Sequence, residues 1–154
     1  MFKRMGFWFV AVLIVATVLS GCGGAGDGGE VAGGVPADAA LKVTGSVDSE
    51  VGWSEADLKA MDTLDVDYTD KDGETNTYTG VAINDLLDKA GVAEGATAVV
   101  FVADDGYESE LTLDEVQGCA DCIVAFRDEG GFSTVMPNFS GKAQVKGVVE
   151  IRVK

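Results

Sequence analysis

The chain has 154 residues, with 26 acidic against 11 basic side chains and no histidine. Without imidazole there are no Ser-His or Cys-His nucleophile pairs, no imidazole metal sites and no ordinary haem ligation. The negative balance repels nucleic acid, so no nucleic-acid partner is expected.

Residues 1–21 read as a signal peptide: Lys3 and Arg4 precede an uncharged run from Met5 to Ser20 that closes on small residues. The run is short of the roughly 20 apolar residues that a bilayer-spanning helix needs. Its end, Leu19-Ser20-Gly21-Cys22, resembles the lipobox of bacterial lipoproteins. That resemblance implies cleavage before Cys22 and acylation of its thiol, which would hold the chain to a membrane, on the extracytoplasmic face, through lipid. Residues 22–40, dominated by Gly and Ala, cannot bury enough apolar surface to offset chain entropy and are expected to form a flexible tether. Removing Lys3 and Arg4 from the 11 basic residues leaves 9 against 26 acidic ones, a net charge of −17 for the exported part. Such a surface favours cationic ligands or partners.

Residues 41–154 fit one domain. LKVTGSV, Leu41 to Val47, alternates apolar and polar residues as a strand does. Ser54, with Asp57 three residues on, resembles a capping box and predicts a short helix through SEADLKAM. Two polar, β-leaning arms around Asp72-Gly73 predict a hairpin. In VAINDLLDKAG, Ile83, Leu86 and Leu87 share one helical face and Gly91 is the stop residue. TAVVFVA reads as a buried strand, broken by a turn at Asp104-Asp105-Gly106, and YESELTL as a strand leading to Thr112, which can cap a one-turn helix through Glu115. CIVAFRD, FSTVMP and QVKGVVEIRVK supply three further β-leaning segments. Short strands with two or three short helices predict an α+β domain on a mixed, twisted sheet.

Cys119 and Cys122 form a C-x-x-C pair before an apolar run. In a thioredoxin-like site such a pair follows a strand and opens a helix, whose N-terminus acidifies the attacking thiol; here it follows a helical turn and opens a strand. A structural zinc wants four ligands, and two thiols remain once Cys22 is lipidated. A local disulfide, or two inert thiols, fits an exported chain better than a redox or metal role.

The succession YTGVAINDLLDKAGV, VVFVADDGYESELTLDEV, IVAF, MP and GKAQVKGVVEIRV resembles the molybdopterin-binding domain of the sulfite oxidase family in its short bacterial versions. The likeness runs from Leu41 to Lys154 and is strongest over Tyr78–Glu115. It implies the sulfite oxidase-type α+β fold and a cleft lined by Tyr78, Thr79 and Gly80 together with Asp104, Asp105, Gly106 and Tyr107. It also implies anion contacts from Lys142 and Lys146. In the family's enzymes a cysteine thiolate shortly before the YTG segment binds molybdenum; Asp67, Tyr68 and Thr69 stand there in this chain. No metal site and no catalytic residue is therefore assigned, and no cofactor is expected, with molybdopterin the one that the family would bring. The leading expectation is a lipid-anchored binding or accessory module with an unknown small ligand or an exported protein partner. The alternatives are a molybdopterin-dependent oxidoreductase domain and a structural cell-surface interaction protein.

Overall fold

The computed structural model describes residues 35–154; Cys22, the signal-peptide reading and most of the expected tether lie outside them. The pattern of apolar side chains divides the strands between two sheets rather than the single sheet expected. The first is mixed, in the order β2 (Val51–Trp53), β1 (Leu41–Gly45), β9 (Val148–Val153), β5 (Ala98–Ala103), β6 (Glu108–Thr112). Only β1 and β9 run parallel in it. The second is antiparallel throughout, in the order β3 (Leu64–Thr69), β4 (Thr75–Ala82), β7 (Ile123–Phe126), β8 (Phe132–Val135). With three short helices, the α+β expectation holds.

Alternation along the strands builds the core between the sheets. Leu41 and Val43 of β1, Val99 and Phe101 of β5, and Ile151 and Val153 of β9 are fully or almost fully buried, and they cluster with Val81, Val124 and Phe132 from the second sheet. The helices close this core. In α2 (Ile83–Ala90) the buried residues are Ile83, Leu86, Leu87 and Ala90, the stripe that a 3.6-residue period puts on one face. The helix stops at Gly91, whose φ of 68° a side chain would resist. The two capping boxes form as their spacing predicts: Ser54 with Asp57 opens α1 (Glu55–Lys59), and Thr112 with Glu115 opens α3 (Leu113–Gln117). Each box satisfies two end-of-helix N–H groups, which such short helices cannot do alone.

Two segments differ from the expectation. Val81 and Ala82, read as the start of the helix, end β4 instead and pair with Val124 and Ile123. Residues 35–40, read as the end of the tether, lie over β2: a Cβ on Gly52 would come within 2.7 Å of the Ala39 side chain and 2.9 Å of that of Val35. The Ala40 N–H donates to the Trp53 carbonyl at 2.8 Å. β2 itself has three buried residues and no alternation, so it lacked a local signal.

The outer face of the first sheet carries a network of paired charges. Glu150 accepts from the Thr44 hydroxyl at 2.6 Å and meets Arg152 at 3.2 Å and Lys42 at 3.5 Å; Arg152 also reaches Glu108 at 3.1 Å. Burial pushes the Glu150 carboxyl up, yet the Thr44 hydroxyl, the Arg152 guanidinium and Lys42 together hold it below its ordinary value. A carboxyl lowered in the folded state stabilises above its unfolded pKa, and that contribution fades as the pH falls through the folded value. The stability gap between the parent protein and Glu150→Gln is therefore expected to be widest above pH 4.5 and to narrow below it. Urea denaturation at a series of pH values checks this; a gap that does not vary with pH contradicts it.

Candidate functional site

The second sheet carries a cleft of about 700 Å³ on the face that points away from the main core. Strand register builds it. Gly80, Ala125 and Ser133 are neighbours in one row across β4, β7 and β8, and Lys146 continues the row through a bridge to Ser133. These residues are small, so the floor is low. Gly80 is also forced, because a Cβ there would run into the backbone of Val124 and Ala125. Tyr78 stands on one side of the floor and Lys146 on the other, and the turn after β7 brings Arg127, Asp128 and Glu129 to the rim. Arg127 is paired with Glu129 at 3.0 Å. Beside the floor on the same face, Val66, Ile123 and Val135 form a small apolar cluster with Ala125, against which Tyr68 and Tyr78 pack.

Lys146 is held in place by residues that the sequence did not single out. Thr134 is 1% exposed; its hydroxyl donates to the Ala143 carbonyl at 2.6 Å and accepts from the Val145 N–H at 2.7 Å. Gln144 uses both ends of its amide on the Met136 backbone, at 3.0 and 2.7 Å. Residues 143–146 are thereby zipped to β8. The one available signal was a threonine inside the apolar run FSTVM.

The turn Asp104–Tyr107 lies on the other side of this segment, between β5 and β6. The Asp104 N–H donates to the Gly147 carbonyl at 2.9 Å, and a Cβ on Gly147, whose φ is 71°, would meet the Asp104 carboxylate. The Asp105 carboxylate accepts from the Tyr107 N–H at 2.9 Å, and Gly106 takes a φ of 87° to complete the turn. The Tyr107 hydroxyl donates to the Lys142 carbonyl at 3.3 Å. The expected cleft residues are thus divided. Tyr78, Thr79 and Lys146 line the cleft and Gly80 pairs with Ala125 next to it, while Asp104 to Tyr107 and Lys142 stand outside it.

The segment at the position of the family's thiolate is the β3–β4 hairpin. The Thr77 hydroxyl donates to Asp67 and the Thr79 hydroxyl to Asp65, each at 2.6 Å, and the Thr69 and Thr75 hydroxyls meet at 2.7 Å. Alternation places Asp67 and Thr77 on the face opposite Val66 and Tyr78. Cys119 and Cys122 are joined as a disulfide, with Cα atoms 5.5 Å apart, in the α3–β7 connection. The start of α2 grips this connection: the Ile83 N–H donates to the Cys122 carbonyl at 2.9 Å, and the Asn84 amide to the Gln117 and Cys119 carbonyls at 3.1 and 3.3 Å. Among the described residues, no group of three or more Cys, Asp or Glu side chains is placed to hold a metal ion.

Thr134→Val keeps the shape of the side chain and strands two buried backbone groups, the Ala143 carbonyl and the Val145 N–H. It is expected to cost at least about 2 kcal/mol, since each unsatisfied buried group costs about 1–3 kcal/mol. Chemical denaturation gives the cost, and faster exchange of the Lys146 amide shows whether the segment has loosened.

The family described as oxidoreductase molybdopterin binding domain matches residues 30–154, and the chain belongs to it. Among solved structures, the fold is similar to that of the sulfane dehydrogenase SoxCD from Paracoccus pantotrophus, with a TM-score of 0.63 and 16% identity. The match covers 73% of this chain and 37% of that one, so this chain corresponds to little more than a third of the larger protein. No curated protein matches.

Proposed function

We propose that this family member is a lipid-anchored, extracytoplasmic binding or accessory module that keeps the molybdopterin-domain scaffold without the chemistry of a molybdenum enzyme. The observation that carries the reading is the state of β3. Asp67, Tyr68 and Thr69 stand where the resemblance calls for a thiolate. The Asp67 carboxylate is taken up by the hydroxyl of Thr77, its cross-strand neighbour.

The rest of the donor set agrees. Lys146 and Arg127 offer the cleft positive charge for a pterin phosphate, but Arg127 is already matched by Glu129, and Asp128 adds a carboxylate at the rim. A strongly anionic cofactor would meet carboxylates as well as cations there. The two described cysteines are joined to each other in a different part of the fold. These residues do not fit a thiolate-held molybdenum. Binding in a shaped cleft needs none of that chemistry, and a fold of this kind can serve it.

Family membership favours a second reading, a molybdopterin-dependent oxidoreductase domain. The two part on cofactor content. Protein purified from its native host, denatured in acid and oxidised, is expected to release no fluorescent pterin; a pterin yield approaching one per chain would establish the second reading. Anchoring is tested independently. Cys22→Ser is expected to abolish incorporation of labelled fatty acid, and unchanged labelling would remove the lipid anchor from the proposal.

A further inference from the structure

We propose that the cleft on the second sheet takes a small amphoteric ligand, one that carries both a carboxylate and an ammonium group, as amino acids and short peptides do. The proposal rests on the binding-module reading and names the ligand class for the same site.

Three observations carry it. First, the charges at the cleft cancel in part and leave one of each sign. Arg127 and Glu129 pair with each other at 3.0 Å. Lys146 and Asp128 also line the cleft, and neither has an ion-pair partner among the described residues. A simple anion would gain from Lys146 and lose to Asp128; a simple cation would do the reverse. A ligand with both charges gains at both. Such a balance is unusual on a domain in which residues 41–154 carry 23 acidic against 9 basic side chains, a net charge of −14.

Second, the floor is built to admit a ligand. Gly80, Ala125 and Ser133 form a row with little side-chain height, and the volume of about 700 Å³ falls in the range of small-molecule sites. From β4 to the Lys146 bridge there are three inter-strand steps, or about 14 Å at the ordinary spacing of strands. A tripeptide, at most about 10 Å long when extended, fits within that width. Third, the cation is positioned. The buried Thr134 hydroxyl and the Gln144 amide fix the backbone on the N-terminal side of Lys146, and the Asp104 N–H bonds the Gly147 carbonyl on the other. A charge whose backbone is held on both sides costs less entropy to engage than one on a free loop.

The test titrates the full chain in detergent micelles with triglycine, N-acetyltriglycine and triglycine amide, which share a backbone and differ in their end charges. Amide chemical shifts of Ala125, Ser133 and Lys146 report binding. Triglycine is expected to bind about tenfold more tightly than either capped form, the loss of one charge-assisted contact. Lys146→Met should remove its advantage over triglycine amide, and Asp128→Asn its advantage over N-acetyltriglycine. If N-acetyltriglycine binds as tightly as triglycine, the site is an anion site; the amphoteric class is overturned while the binding module stands. If none of the three shifts these amides, the ligand class is wrong, and pterin release still decides the underlying reading by itself.

Discussion

Everything around the cleft depends on how residues 142–147 are held between the two sheets. On one side, the Thr134 hydroxyl and the Gln144 amide tie them to β8 and its extension at Met136. On the other, Asp104 and Tyr107 receive them at the β5–β6 turn. Gly147 permits the close approach, because its φ of 71° and the adjacent Asp104 carboxylate leave no room for a side chain. The segment then enters β9, which pairs with both β1 and β5 at the centre of the first sheet. A single connection therefore fixes the position of Lys146 and the junction between the sheets. Residues that touch no ligand, such as Asp104 and Thr134, can matter to the site through it.

The local features were legible in the sequence. Both capping boxes, the hairpin at Asp72-Gly73 and the stop at Gly91 rest on contacts within a few residues, and such signals survive whatever the tertiary context. The distribution of strands was not legible. Thr44 and Glu150 are 106 residues apart in sequence and 2.6 Å apart in space, and nothing local announces that β1 will lie parallel to β9. The three-residue β2 carries no period, and it is defined by what packs over Gly52. Tyr78 and Tyr107 were expected in one cleft because the resemblance linked their segments. The structure puts Tyr78 in a strand of the second sheet and Tyr107 in the β5–β6 turn of the first, and the 142–147 segment lies against the Tyr107 turn while its Lys146 borders the cleft of Tyr78. Thr134 and Gln144 escaped notice for a related reason: their partners lie 8 to 11 residues away across an irregular loop.

On the proposed reading, scaffold and chemistry are separate in this domain. Membership of the molybdopterin-binding family is clear over residues 30–154, and the sheets and helices that shape a cleft are all present. Where the resemblance places a thiolate, β3 and β4 form a ladder of Asp and Thr side chains, each hydroxyl satisfied by a cross-strand partner. Such pairs stabilise a polar hairpin, and among the described residues no group of three or more carboxylates or thiols is placed to hold a metal ion. The two cysteines among the described residues, Cys119 and Cys122, are joined to each other in the turn between α3 and β7.

Molybdenum bound per chain, measured by elemental analysis of the protein purified from its native host grown with ample molybdate, tests this account most directly. A binding module without a metal thiolate predicts a ratio near zero. A ratio near one would mean that the metal is held by ligands other than a thiolate at β3, and would return the chain to the enzymes of its family.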